Sequence, residues 1–370
     1  MAASSRPSKA RVKARTSGRL GERGDLEEDA GMAADDNQQM PSNVSTNSHA
    51  SPPNTDAAPD GACRLEDWGV ILATGPDSAS FLHGQLTQDM LHLGESQARL
   101  AGYCSAKGRL QATFTAWRSA PDQIALACSA DLLAATLKRL SMFVLRAKCR
   151  LTAGDGQLAL YGLAGPTAEH WLAQTAGATL PAATWSVLAL GPAGGPQAIR
   201  LPSGSPTSRW LLVQAHDLPA PPVPAMSRAQ WDWLEVRSGV VRVVAATVEQ
   251  FVPQMVNLEL TGGVNFQKGC YPGQEVVARS QYRGTLKRRM FLMTADGPLG
   301  PGQEVHHSAD PGQPAGMVAL AAPVTAGPAG SHAALVECKS ALVGAPGELT
   351  VGTVRLKPAE LPYPLPLEPA

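Results

Sequence analysis

The chain has 370 residues, 31 basic and 31 acidic side chains with a net charge of zero, and a composition that is 44% hydrophobic and only 17% charged. At ~100–200 residues per domain this length supports two or three domains, and so neutral a chain is excluded from gripping nucleic acid by bulk electrostatics, although a local basic patch stays open. No run of about eighteen apolar residues is present, so no membrane-spanning helix is expected.

The six cysteines (63, 104, 128, 149, 270 and 338) include no C-x-x-C pair, and neighbours lie more than twenty residues apart. This spacing suggests neither a zinc ribbon nor a thioredoxin-like site. It fits reduced thiols in a cytoplasmic compartment.

Residues 1–60 contain no aromatic residue and are rich in Ser, Ala, Asn, Asp and Pro. Such a segment buries too little apolar area to offset chain entropy, and a disordered tail is predicted. Its first twenty residues are basic without acids, as in a mitochondrial transit peptide, which makes the mitochondrial matrix the alternative location. Met32 or Met40 as the true start is a further reading.

The run 65–75 reads as a strand ended at Gly75-Pro76. Asp77 is placed to cap a helix carrying Phe81, Leu82, Gln85 and Leu86 on one face. Residues 102–118 read as two strands around a turn at Lys107-Gly108, followed by a strand at QIALACS and a helix capped by Asp131. Leu145, Ala147, Cys149 and Leu151 alternate with Arg146, Lys148, Arg150 and Thr152, which predicts a half-buried strand. Between 157 and 215 a strand, a helix opened by Pro166 and three more strands are expected, and few helices on antiparallel sheet mean α+β. Ser227 and Gln230 form a capping box for a helix with Trp231 and Leu234 on one face, ended at Gly239. After 284, short strands separated by Gly and Pro turns suggest a small barrel, with His306 and His307 as exposed turn residues.

The most pointed stretch is VNFQKGCYPGQEVVARSQYRG, residues 264–284. Pro272 suits the first turn of a helix. That helix would turn Val276 and Val277 inward and pair Glu275 with Arg279. Cys270 then precedes a helix N-terminus with Lys268 nearby, and both effects favour a thiolate. A buried turn cysteine packed between domains fits the spacing equally well. No histidine is tied to Cys270 by sequence, although a nucleophile needs a base.

These residues carry a resemblance. Lys268-Gly-Cys-Tyr-Pro-Gly-Gln-Glu275 is similar to the K-G-C-Y-x-G-Q-E signature of the YgfZ family, folate-binding proteins linked to iron–sulfur cluster maintenance and tRNA modification. The blocks 81–89, 103–111, 251–279, 282–289 and 361–365 resemble the same family, covering roughly 64–366. The resemblance implies an α+β fold like the glycine cleavage T-protein: a multidomain ring with ferredoxin-like α+β portions and a C-terminal small β-barrel. The corresponding division is a tail at 1–60, a folate-binding α+β region at 61–283 with a second α+β subdomain at about 150–216, and a barrel at 284–366.

It further implies tetrahydrofolate or a derivative as cofactor. Trp68 and Trp231 match the family's two folate-site tryptophans, where an indole face would stack on a flat ring. Read from the sequence alone, both are core anchors, and Trp233 is a neighbouring alternative. Asn257, Arg279 and Lys268 are further candidates for the polar groups of folate. Cys270, with Lys268 and Glu275, is the working site, expected at the mouth of the folate cavity. The T-protein's carboxylate pair is missing, since Gly108 to Thr113, including Gln111, Ala112 and Thr113, holds no acid, so aminomethyl transfer is not expected. The expected role is a folate-binding accessory factor whose partners are iron–sulfur proteins, their assembly machinery or a tRNA-modifying enzyme. A lone thiolate holds no cluster without a partner's ligands. A folate-dependent one-carbon transferase and a tRNA-binding module using Arg283, Lys287, Arg288 and Arg289 are the alternatives; direct nucleic-acid contact and a membrane partner are not expected.

Overall fold

A computed structural model describes residues 58–366 except 193, 283–285, 326, 327 and 329. The amino-terminal tail up to residue 57, and Arg283 of the basic run, lie outside the described residues. Asp60, at the end of the segment read as tail, is engaged: its carboxylate accepts from the Thr167 backbone N–H at 2.9 Å and the Thr167 hydroxyl at 2.6 Å.

β1 (Gly61–Arg64) and β2 (Trp68–Thr74) enter different sheets. α1 (Ser78–His83) follows, but Asp77 makes no capping bond to it. Its Oδ2 instead accepts from the Lys148 N–H at 2.7 Å, so the expected cap is a tie between two loops. β3 (Ala98–Cys104) and β4 (Leu110–Ala120) form a hairpin, with Gly108 at φ 70° in its turn. β5 (Gln123–Ser129) leads into α2 (Ala130–Ser141). Ser129 holds the N-cap position there, and Asp131 accepts from the Ala245 N–H at 2.8 Å.

The strand predicted over 145–152 shrinks to β6 (Arg150–Ala153), and Leu145 is 88% exposed with φ 35°. Alternation alone does not make a strand. Only from residue 150 onward does the chain find a strand to pair with, Ile71–Thr74 of β2.

β7 (Leu158–Ala164) and α3 (Gly165–Ala176), with Pro166 in its first turn, come next. β8 (Val187–Ala189), β9 (Gln197–Leu201) and β10 (Arg209–Ala215) follow. α4 (Arg228–Arg237) has both bonds of the Ser227/Gln230 capping box. α5 (Gln274–Tyr282) precedes β11 (Arg288–Ala295), β12 (Glu304–His307), β13 (Asp310–Pro323), β14 (His332–Lys339), β15 (Leu349–Val351) and β16 (Val354–Ala359).

These strands make two five-stranded antiparallel sheets, β3-β4-β5-β2-β6 and β1-β7-β10-β9-β8, and a closed barrel, β11-β14-β13-β12-β15-β16. The architecture is α+β with a C-terminal barrel, as expected. His306 and His307 lie in β12 rather than in an exposed turn, and His307 is 2% exposed. Two members of the basic run are taken up by the fold, Arg288 forking onto Glu337 and Arg289 pairing with Glu259, while Lys287 stays exposed.

β2 shows why the first sheet is so apolar. Ile71 and Ala73 join a core with α1, α2 and the barrel residues Met290, Leu292 and Leu335. Val70 and Leu72 point the other way, into a core with Leu160, Ile199, Leu211 and Trp231 of the second sheet and α4. A strand covered on both faces reads as a continuous hydrophobic run, because alternate side chains are all buried.

Candidate functional site

A narrow cavity lies where β4, β10 and α4 converge. Trp68, Phe114 and Trp185 supply its flat walls, and Arg209, Glu235 and Arg242 its charges. Trp185 is held at φ 67°, a strained conformation for a bulky residue, by its N–H to Arg200 O and its C=O from the Ala98 N–H, both 2.7 Å. Backbone strain of this kind costs roughly 1–3 kcal/mol and collects at ligand sites.

Arg242 organises the polar side. It is 8% exposed. Its Nε donates to Glu235 Oε1 at 2.8 Å, its terminal nitrogens to Glu235 Oε2, Asp67 Oδ2 and Ser129 Oγ at 3.1, 2.9 and 2.9 Å. The guanidinium lies 4.9 Å over the Trp68 ring. Burial opposes the Arg242 charge, yet Glu235 and Asp67 hold it protonated. Arg209, 3% exposed, has no such fork: burial lowers its pKa to about 10 although Glu235 attracts its charge. Its NH1 donates to Pro202 O at 3.0 Å. Arg209 Nε and Trp68 Nε1 are buried donors without a partner among the described residues, a condition that normally calls for explanation by a ligand or water.

A second, open cavity shares Glu235 and Arg242 with the first and adds Asp67, Asp131, Arg228 and Asp232. Arg228 forks onto Asp67 and donates its Nε to Asp232 at 2.7 Å. Burial lifts the Asp232 pKa to about 6 against the pull of Arg228. Asp67 goes down despite its burial, because two arginines share it.

The signature loop sits elsewhere. Cys270 is exposed, whereas four of the other five cysteines are buried and Cys149 is half-buried. The loop is clamped to the β3–β4 turn, where a Cβ on Gly273 (φ 79°) would lie 2.4 Å from Ser105 O. Lys268 Nζ donates to His83 O and to Leu86 O at 2.9 Å, closing the end of α1. It also stands 4.7 Å from the centre of the Tyr271 ring. Burial lowers the Lys268 pKa to about 8, while Asp89 and Cys270 favour its charge. Val277 is buried but Val276 is 37% exposed, lying across Gly108 rather than facing a core. Glu275 and Arg279 are both exposed, and among the described residues they do not pair with each other.

The expected single site therefore separates in two. Trp68 lines the cavity. Trp231 does not: it is 0% exposed, a Cβ on Gly162 would come within 2.3 Å of its ring, and Arg209 covers it at 4.5 Å. Asn257 is 0% exposed with φ 55°, and its Nδ2 donates to Met290 O at 2.9 Å and Tyr363 Oη at 3.3 Å. Tyr363 in turn donates to Gly239 O at 2.8 Å, so Asn257 latches the chain's end to α4. Cys270 is not a wall of the Trp68 cavity. From Thr113, which lines it, to Gly108 beneath the signature loop is ~17 Å along the chain at ~3.3 Å per residue.

Sequence reasoning missed Trp185, Arg209, Glu235 and Arg242. One signal was available: Glu235 stands four residues after Trp231, on the buried face of a capped helix. Among the described residues no group of three or more His, Cys, Asp or Glu is placed to hold a metal. No described helix is long and apolar enough to cross a membrane.

No family model matches the chain. The aminomethyltransferase T of the glycine cleavage system from Bartonella henselae shares the fold, with a TM-score of 0.60 at 17% identity over 83% of this chain and 87% of that one. The tRNA-modifying protein YgfZ of Edwardsiella ictaluri is 34% identical over 239 residues, 62% of this chain and 70% of that protein. That of Cronobacter sakazakii is 32% identical over 63% of this chain and 70% of its own length. That of Photorhabdus laumondii is 35% identical over 62% and 69%. With this fold, this signature loop and an identity of about a third sustained over some 70% of each relative, the chain belongs to the family of the tRNA-modifying protein YgfZ.

Proposed function

We propose that the chain is a folate-binding accessory protein for iron–sulfur cluster assembly or repair that thereby supports tRNA modification, with Cys270 as its working thiol. The observation that carries the folate part is the cavity beside Trp68, where flat walls meet a buried carboxylate and buried donors without partners. The residues fit a reduced pterin. Its aminopyrimidine edge offers adjacent N–H groups, which suit the lone pairs of Glu235 left over from Arg242. Arg209 Nε suits its carbonyl oxygen. Trp68 and Trp185 offer aromatic surface to the ring. The adjoining cavity, with Arg228 and Arg242, has the cations that a glutamate tail needs. Bound there, a reduced folate would supply a one-carbon unit or its electron-rich ring nitrogens. The tRNA link comes from the relatives' name, and Cys270 is the accessible cysteine of the signature.

A one-carbon transferase is the weaker reading. Gln111 donates to Glu249 at 3.0 Å, and Thr113 Oγ1 accepts from the Val243 N–H at 3.0 Å, so this stretch of β4 is committed to structure and carries no acid. The acids that reach the cavities come from α4, from Asp67 and from Asp131; arginines hold Asp67, Asp232 and Glu235, and Asp131 accepts from the Ala245 N–H.

Titration with a reduced folate, followed by tryptophan quenching, tests the assignment. Quenching is expected in the wild type, and loss of about tenfold or more in affinity in Trp68→Ala and Glu235→Gln, each of which removes a stacking face or a charged hydrogen-bond acceptor worth ~1.5–3 kcal/mol. Absence of quenching in the wild type removes the folate reading.

A further inference from the structure

Two motifs far apart in the sequence, FLHGQLTQD (81–89) and the signature loop, are strapped together by Lys268, whose ammonium bonds carbonyls up to 185 positions away. Beside that strap, His83 Nδ1 is 3.0 Å from Asp89 Oδ1. Both side chains are largely shielded, at 16% and 14% exposure. Asp89 is well anchored, accepting from the backbone N–H groups of Leu91 at 2.9 Å and His92 at 3.3 Å. Burial would raise its pKa, but hydrogen bonds from His92 and His83 hold it down to about 2, so it is a carboxylate at any neutral pH. A carboxylate at Nδ1 fixes the imidazole with its proton on that nitrogen and leaves the Nε2 lone pair free. Nε2 faces the chain one residue before the thiol: a Cβ on Gly269 would stand 3.6 Å from it. Glycine keeps that approach open.

We propose that His83, aligned by Asp89, is the proton acceptor for Cys270, so that the loop carries a thiolate–imidazolium pair poised for small electrophiles. This rests on the reading of Cys270 as the working thiol. The Sγ–H bond breaks with its electron pair left on sulfur, and the proton goes to His83 Nε2; nothing is oxidised or reduced. A nucleophile, a base and a group orienting the base are the three parts such catalysis requires, and contacts of this kind tighten when a substrate arrives. The other charged and titratable groups around the pair are His92 and Arg99 on the Asp89 side, and Lys268 and Tyr271 flanking the thiol. His92 is 80% exposed, so solvent screens it. Lys268, spent on two carbonyls, is a strap and a nearby positive charge rather than the base.

The test is the pH dependence of iodoacetamide alkylation at Cys270, read peptide by peptide by mass spectrometry in the full chain. Free thiols are only a few per cent thiolate near pH 7. Allowing for the lower nucleophilicity of a stabilised thiolate, wild type near pH 7 should react about tenfold faster than His83→Gln, and the two should converge near pH 10. Asp89→Asn should fall between them. Equal rates near pH 7 for wild type and His83→Gln, with equal rates near pH 10 showing an intact loop, overturn the proposal. A second readout keeps the wild-type histidine: the pH dependence of the His83 ring proton resonance should change in Cys270→Ser, and an unchanged curve also overturns the pair. The thiol's biological role is judged separately. If Cys270→Ser fully restores iron–sulfur enzyme activity in cells lacking the protein, that role falls whatever the alkylation shows. If Cys270→Ser fails while His83→Gln restores fully, the thiol stands without its base.

Discussion

Replacing Trp231 by alanine separates a packing tryptophan from a ligand-stacking one. The indole is 0% exposed, rests on the Gly162 backbone of β7 and is covered by the Arg209 guanidinium 4.5 Å from the ring. It has no surface on which a heterocycle could stack. Truncation removes ~200 Å² of buried apolar area, and large-to-small changes at such sites cost ~3–5 kcal/mol. Loss of the desolvated cation–π contact adds up to ~2 kcal/mol, less whatever water recovers by entering beside Arg209. Against a total stability of ~5–15 kcal/mol, the variant should be folded but marginal. The assay is urea unfolding followed by far-ultraviolet circular dichroism, since seven tryptophans make fluorescence ambiguous. Gly162→Ala should also destabilise, by ~1–3 kcal/mol, because its methyl group must push the same ring. Trp68→Ala should do the reverse of Trp231→Ala, costing less stability and most of the folate quenching. The reasoning is refuted if Trp231→Ala loses under ~1 kcal/mol while abolishing the quenching.

Arg242→Met should cost ~3–5 kcal/mol, because it leaves Glu235 buried without its fork; the shift of the urea midpoint measures it. Asp232, with its pKa raised to about 6 by burial against the pull of Arg228, favours the protonated form in the fold. Its contribution to stability is therefore full below the ordinary carboxylate range near ~3.9 and is lost as pH rises through about 6. Asp232→Asn should flatten that part of the stability–pH curve, and an unaltered slope between pH 4 and 7 would count against the burial argument.

Local pattern determined much of this protein. The Ser227/Gln230 box, Pro166 at the start of α3, the hairpin at Gly108 and the succession of short barrel strands all follow from neighbours in the chain, because caps, turns and alternation act within a few residues. The same logic failed where a distant partner decides. The period-two run at Leu145 lacks an adjacent strand until Arg150, and Val276 meets Gly108 across a turn instead of a core. The site was legible only in part. Trp68 and the exposed thiol could be picked from their motifs, but whether an indole faces a cavity or a backbone depends on what packs over it, and Trp231 packs on Gly162 of another sheet. The strained Trp185, the Arg209–Glu235–Arg242 group and the approach of His83 to the signature loop are products of tertiary folding. Each joins residues from separate elements, and the backbone hydrogen bonds that hold Trp185 and the buried charge pairing of Arg242 with Glu235 form only once the sheets and α4 have come together and excluded water.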